Sequence, residues 1–272
     1  MISETALLEA LRDRHARVHV IVSPPRCGST AFARVFWEHP TVRYYCHEPF
    51  EVTYYQNEGL EAVAEKLAAA LDLAALGAEV FPESDSLVLK EMPYQVGDRF
   101  SLLARMATPP ILFLIRDPRL NIASRIAKKE EVGDSPVFPL IETGWTRIAE
   151  QVAYCRDHSI PYHIVEANNF RNTPLRLLPQ VFEAFGLSFT PEMIAWDPYP
   201  DHYLDNLEGT HTHLYRRVLT SSGLQPATEP VPALETFPKA HGLRAHVAAC
   251  MEVYEGLRRD PNRLHPAAMT SP

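Results

Sequence analysis

Five short runs of branched and aliphatic residues, Val18–Val22, Val42–Cys46, Leu87–Leu89, Ile111–Ile115 and Tyr162–Val165, punctuate this chain. They lack the polar alternation of a half-solvated strand, which is how strands buried on both faces read. Helical periodicity or a turn with room for a crossover separates each run from the next. The spacing predicts helices near 29–38, 58–76, 97–106, 118–128, 140–158 and 174–185, and a last amphipathic one at 239–259. The alanine- and leucine-rich stretch 62–76 carries the strongest helical signal. Strands alternating with helices imply an α/β fold, a central parallel sheet flanked by helices. One domain over 1–259 is expected, with the proline-rich, weakly periodic stretch 197–238 as a lid or irregular loop and 260–272 as a flexible tail.

The first run leads into Ser23-Pro-Pro-Arg-Cys-Gly-Ser-Thr30. A strand that breaks into a Pro/Gly turn and then opens a helix aims consecutive backbone N–H groups at one point. The positive end of the helix dipole adds to them. Pro25, Arg26, Cys27, Gly28, Ser29 and Thr30 are therefore candidate binders of a phosphate or sulfate, Arg26 supplying a full charge. A triphosphatase loop would carry two glycines five residues apart followed by Lys-Ser/Thr. Here no glycine precedes Gly28 at that spacing and Ser29 follows it directly, so ATP or GTP hydrolysis is disfavoured.

The fourth run repeats the pattern. Arg116 stands at the end of Ile111–Ile115, Asp117 suits a helix N-cap, Pro118 suits the first helical position, and Ser124 falls two turns into the helix. A guanidinium and a hydroxyl at the ligand edge of the sheet can share a second anion. Two anion sites on one sheet edge suggest a bisphosphorylated ligand.

The net charge of −8 excludes a general nucleic-acid or anionic-membrane binder. Cys27, Cys46, Cys155 and Cys250 have neither disulfide nor zinc spacing, which fits a reduced, cytoplasmic chain. The amino terminus reads as an acid-started amphipathic helix, and no run is long enough to span a bilayer.

With these motifs in order, the chain resembles the sulfotransferases that use 3′-phosphoadenosine 5′-phosphosulfate, in particular the bacterial group with a His-Glu-Pro-Phe segment. Pro25–Thr30 is similar to that family's 5′-phosphosulfate loop, and His47-Glu48-Pro49-Phe50 and Leu89-Lys90-Glu91-Met92 follow the second and third strands. Arg116 and Ser124 match its 3′-phosphate pair, and Leu219–Gly223, with Ser222, resembles its cofactor-covering loop. Cys27 stands where serine is commoner, and the glycine- and lysine-rich closing motif of the animal enzymes is absent. The resemblance implies a P-loop-type α/β fold and metal-free sulfuryl transfer to a hydroxyl or amine of a small-molecule acceptor, with 3′-phosphoadenosine 5′-phosphate as product. Bacterial specialised metabolism is a compatible setting.

Within that chemistry Lys90 and Arg26 would steady the leaving phosphate, and a hydroxyl acceptor would need a base, Glu48 or His47. Neighbours at a strand end point to opposite faces, so one of the two reaches the site. The reference pKa favours His47, about 6.5 against about 4.3, whereas burial raises a glutamate and the resemblance favours Glu48. Tyr44, Tyr45, Tyr54, Tyr55 and Tyr94 could wall an acceptor pocket. The competing readings are a small-molecule or nucleotide kinase and a nucleotide-binding module without catalysis.

Overall fold

The computed structural model describes residues 2–199, Leu204 and 212–267. Each apolar run becomes a strand: β1 (Val18–Val22), β2 (Val42–His47), β4 (Ser86–Glu91), β5 (Ile111–Ile115) and β6 (Tyr162–Glu166), with a short β3 (Leu71–Asp72) between the second and third of them. They form one sheet in the order β3-β2-β4-β1-β5-β6. All pairings are parallel except β3 on β2. The single α/β domain anticipated from the sequence is thus present.

The unbroken apolar runs are explained by burial on both faces. Val18, Val20 and Val22 pack into one hydrophobic cluster with Leu87, Leu89 and Phe113, while Ile21, Val88, Leu112 and Leu114 pack into a second on the opposite side. β1 lies between β4 and β5, so the chain leaves it in one direction and later returns on the other side. That reversal opens a crevice at the carboxyl ends of the strands, where ligands of such sheets bind.

Three helical expectations are corrected. The stretch 58–76 is helical only over Leu60–Ala68, after which Leu71 and Asp72 pair antiparallel with Tyr45 and Tyr44. The Arg43–Asp72 ion pair at 3.2 Å and the Leu73 N–H to Arg43 carbonyl bond at 2.9 Å fix that pairing, and these tertiary contacts override alanine-rich propensity. The stretch 140–158 breaks at Gly144, whose φ of 79° separates a 3₁₀ turn from the helix Trp145–Asp157. The helix at 97–106 begins with a 3₁₀ turn and is α-helical over Phe100–Met106.

The stretch 197–238 is not irregular throughout, because Thr212–Leu219 is a helix. Nor does the chain fray from residue 260. Asn262 accepts from the Ile164 N–H at 3.1 Å, and the Leu264 N–H donates to the Ile164 carbonyl at 2.9 Å. Asp260 accepts from the Tyr162 hydroxyl at 2.8 Å. The two bonds to Ile164 satisfy its backbone groups on the side of β6 away from β5. Residues 200–203, 205–211 and 268–272, which belong to the expected lid and tail, lie outside the described residues.

Candidate functional site

The segments following β1, β2, β4, β5 and β6 converge on a cavity of about 500 Å³. Pro25, Arg26, Gly28, Ser29 and Thr30 line it from the first turn, Glu48 and Lys90 from the ends of β2 and β4, and Arg116 and Ser124 from the segment after β5. Gly28 caps the helix Ser29–Trp37 with a φ of 79°, a conformation glycine adopts without penalty. Arg26 and Glu48 hold left-handed backbone at φ 63° and 49°. Such strain costs about 1–3 kcal/mol per residue and is typical of binding sites held by their surroundings.

Arg26 links the turn after β1 to the segment after β5. Its Nε donates to the Ser124 hydroxyl at 3.2 Å, and its carbonyl accepts from Arg116 Nη1 at 3.2 Å. Asn121, on the capped helix Pro118–Glu131, braces the turn by donating to the Pro25 carbonyl at 3.2 Å, and its own carbonyl accepts from the Trp145 indole at 3.4 Å. Gly144 closes against the same turn. A Cβ there would lie 3.2 Å from Pro24 Cα, in a backbone conformation that side chains rarely adopt. Gly144→Ala is therefore expected to cost about 1–3 kcal/mol of stability, seen as a lower urea midpoint at unchanged slope.

At the cavity floor Lys90, 1% exposed, pairs directly with one oxygen of Glu48, 0% exposed, and Gln95 Nε2 donates to the other at 2.8 Å. Burial alone would raise the Glu48 carboxyl, but the Lys90 ammonium and His47 outweigh it and hold the group well below the usual carboxylate range. Glu91 shapes the turn that presents Glu48. Its oxygens accept from the Phe50 N–H at 2.9 Å and the Met92 N–H at 2.7 Å, while the Glu48 N–H donates to the Lys90 carbonyl at 2.8 Å. Burial and the nearby Glu48 charge raise the Glu91 carboxyl well above its ordinary value.

His47 does not line the cavity. It packs edge-on against Tyr215, with Nδ1 2.6 Å from the Tyr45 hydroxyl and Nε2 3.2 Å from Glu48 Oε1. Both residues of the pair therefore meet, because the left-handed Glu48 ends the strand's alternation, and His47 stands behind the carboxylate. Cys27 is also outside the lining: its sulfur lies 3.8 Å from Asn121 Nδ2, and burial pushes the thiol up to about 11, which leaves it unreactive. Ser222 is exposed and faces away, while its neighbours Ser221 and Gly223 line the cavity. The bridge between Gly223 and Ala195 sets that alternation.

Of the five tyrosines, Tyr55 and Tyr94 line the cavity with their hydroxyls 3.0 Å apart. Tyr54 lines a shallower neighbouring depression and donates to Glu142 at 3.3 Å. Tyr45 is buried beneath His47, and Tyr44 packs on Arg14 and His15. Glu142 in turn pairs with Arg125, which lies 4.6 Å over the Phe138 ring on the cavity wall. Gln95, Asn121, Arg125 and Arg171 were not singled out from the sequence. All but Asn121 line the cavity.

A family model described as a sulfotransferase domain matches residues 18–247. The chain belongs to the sulfotransferase family. Among solved structures, this sulfotransferase is similar to the sulfotransferase domain of the Synechococcus PCC 7002 olefin synthase at 15% identity and a TM-score of 0.50, covering 88% of this chain and 94% of that one. It is also similar to the sulfotransferase domain from the curacin biosynthetic pathway at 16% identity and a TM-score of 0.47, covering 88% and 97%. No curated protein matches it. The enzyme's class is thus transfer of a sulfuryl group, and among its described residues no helix is long and apolar enough to cross a membrane.

Proposed function

We propose that this sulfotransferase uses 3′-phosphoadenosine 5′-phosphosulfate as donor and sulfates a hydroxyl or amine of a small molecule, with Glu48 as the base. The observation that carries this reading is the buried Glu48–Lys90 pair at the floor of a cavity whose other wall is built from two anion-binding segments. The donor set suits such a nucleotide: a helix N-terminus at Gly28–Thr30, the Arg26 guanidinium, and Arg116 beside Ser124 on the same cavity.

When bound, the donor supplies a sulfuryl group whose S–O bond to phosphate breaks as the acceptor oxygen or nitrogen bonds to sulfur. Glu48 accepts the proton that the acceptor loses. Lys90 holds Glu48 ionised until negative charge develops on the leaving oxygen, which competes for the same ammonium. With its ammonium shared with that oxygen, Lys90 would hold Glu48 less strongly, and burial would make the carboxylate a stronger base. Gln95 keeps the second carboxylate oxygen fixed, and His47 supports the first from behind. Tyr55, Tyr94 and Phe138 supply aromatic faces for the acceptor body.

Calorimetry with 3′-phosphoadenosine 5′-phosphate and with ATP, followed by mass spectrometry of candidate hydroxyl and amine compounds incubated with enzyme and donor, tests this. The expected outcome is preferential binding of the bisphosphate and a product heavier by one SO₃ group. Magnesium-dependent phosphate transfer from ATP would replace the proposal with a kinase.

A further inference from the structure

One carboxylate already sits where the nucleotide would place an anion. Glu229 Oε2 lies 3.0 Å from Arg116 Nη2 and 3.5 Å from Arg171 Nη1, so a single oxygen bridges two guanidinium groups on the cavity wall. The arginine side chains are 7% and 12% exposed, whereas Glu229 is 41% exposed. The cations therefore belong to the body of the protein and the anion to its rim.

Arg171 also holds the chain just ahead of that carboxylate. Its Nε donates to the Gln225 carbonyl at 3.0 Å and its Nη2 to the Pro226 carbonyl at 2.7 Å, and Asn172 Oδ1 accepts from the Ala227 N–H at 2.8 Å. The span 225–232 contains Pro226, Pro230 and Pro232 and is tied down at both ends. Before it, the Leu224 N–H donates to the Ile194 carbonyl at 2.8 Å; after it, Phe237 is buried at 3% exposure. Within 225–232, the hydrogen bonds to the body among the described residues are the ones just named, made by Arg116, Arg171 and Asn172. A strap held by a few exposed polar contacts opens at low free energy.

A phosphate dianion presents more charge and more acceptor oxygens to two guanidinium groups than a partly exposed carboxylate does. We infer that Arg171 joins Arg116 as a clamp for the nucleotide's 3′-phosphate, and that Glu229 fills this clamp in the empty enzyme so that the 225–232 strap must open for the nucleotide to enter. The inference rests on the donor proposed above. It adds a binding residue and an internal competitor to that site.

Calorimetric titration of the whole enzyme, Glu229→Gln and Arg171→Gln with adenosine 3′,5′-bisphosphate and with adenosine 5′-phosphate tests it. Two partly exposed ion pairs are lost on opening, so Glu229→Gln is expected to bind the bisphosphate about tenfold more tightly. Adenosine 5′-phosphate, which lacks the 3′ group, should change by less than about twofold, since it does not compete for the clamp. Arg171→Gln should weaken the bisphosphate alone. Unchanged or weaker bisphosphate binding by Glu229→Gln, or an equal gain for both nucleotides, overturns the inference while leaving the donor assignment intact. Failure of the bisphosphate to bind the wild-type enzyme and Glu229→Gln alike removes both.

Discussion

Glu48→Gln is expected to lower kcat by about 10²–10⁴-fold, the usual contribution of a positioned base. The amide keeps the shape of the carboxylate, can still bond Gln95, and cannot take the acceptor's proton. The pH dependence follows from the environment of the group. Lys90 and His47 hold the free enzyme's carboxyl below its usual range of about 4.3. Glu48 is therefore ionised throughout neutral pH, and the acid limb of kcat/KM that it causes lies below that range. Binding should still be measurable in the variant, separating lost proton transfer from lost affinity. Since His47 stands behind the carboxylate, His47→Gln is expected to cost less, and a larger loss there than in Glu48→Gln would transfer the role of base to the imidazole.

Lys90→Met is expected to destabilise the fold by about 3–5 kcal/mol as well as to suppress turnover, because it strands a carboxylate that is fully out of water. The sign follows from the depressed pKa of Glu48. In the wild type the pair stabilises the fold fully above the unfolded carboxyl's pKa, and that contribution is lost as pH falls through the folded value. Without Lys90, burial drives the Glu48 pKa upward, so the variant takes up a proton on folding and its stability rises as pH is lowered. Urea denaturation across pH 5–8 distinguishes the two slopes. The double variant Glu48→Gln with Lys90→Met should recover most of the lost stability with no recovery of turnover. Recovery of turnover would exclude both side chains from the chemistry.

Much of this architecture is visible in the residues because strands buried on both faces are spelled as unbroken apolar runs, and because a turn that opens a helix keeps its glycine and hydroxyls contiguous. Pro25–Thr30, Arg116 with Ser124, and the Glu48 and Lys90 positions at strand ends all follow from that spelling. The β3 pairing was hidden because Leu71 and Asp72 continue an alanine-rich stretch whose local preference is helical, while the Arg43 contacts that redirect them are 28–29 residues away. Gly144 falls inside the stretch 140–158 whose periodicity predicts one helix, and only the approach of Pro24 shows why a glycine stands there. Gln95 and Asn121 are ordinary polar residues in their helices until the fold brings Glu48 and the Pro25 carbonyl to them. Arg171 and Glu229 are 58 residues apart, and no local pattern links them.

The hydrogen bonds from Asn262 and Leu264 to Ile164 also affect how copies of this enzyme meet. With that flank of the sheet covered, a strand from a second molecule finds few free amides along β6, and at the other flank β3 is two residues long, too short to template an added strand. Both borders are thus blunted against strand-to-strand aggregation.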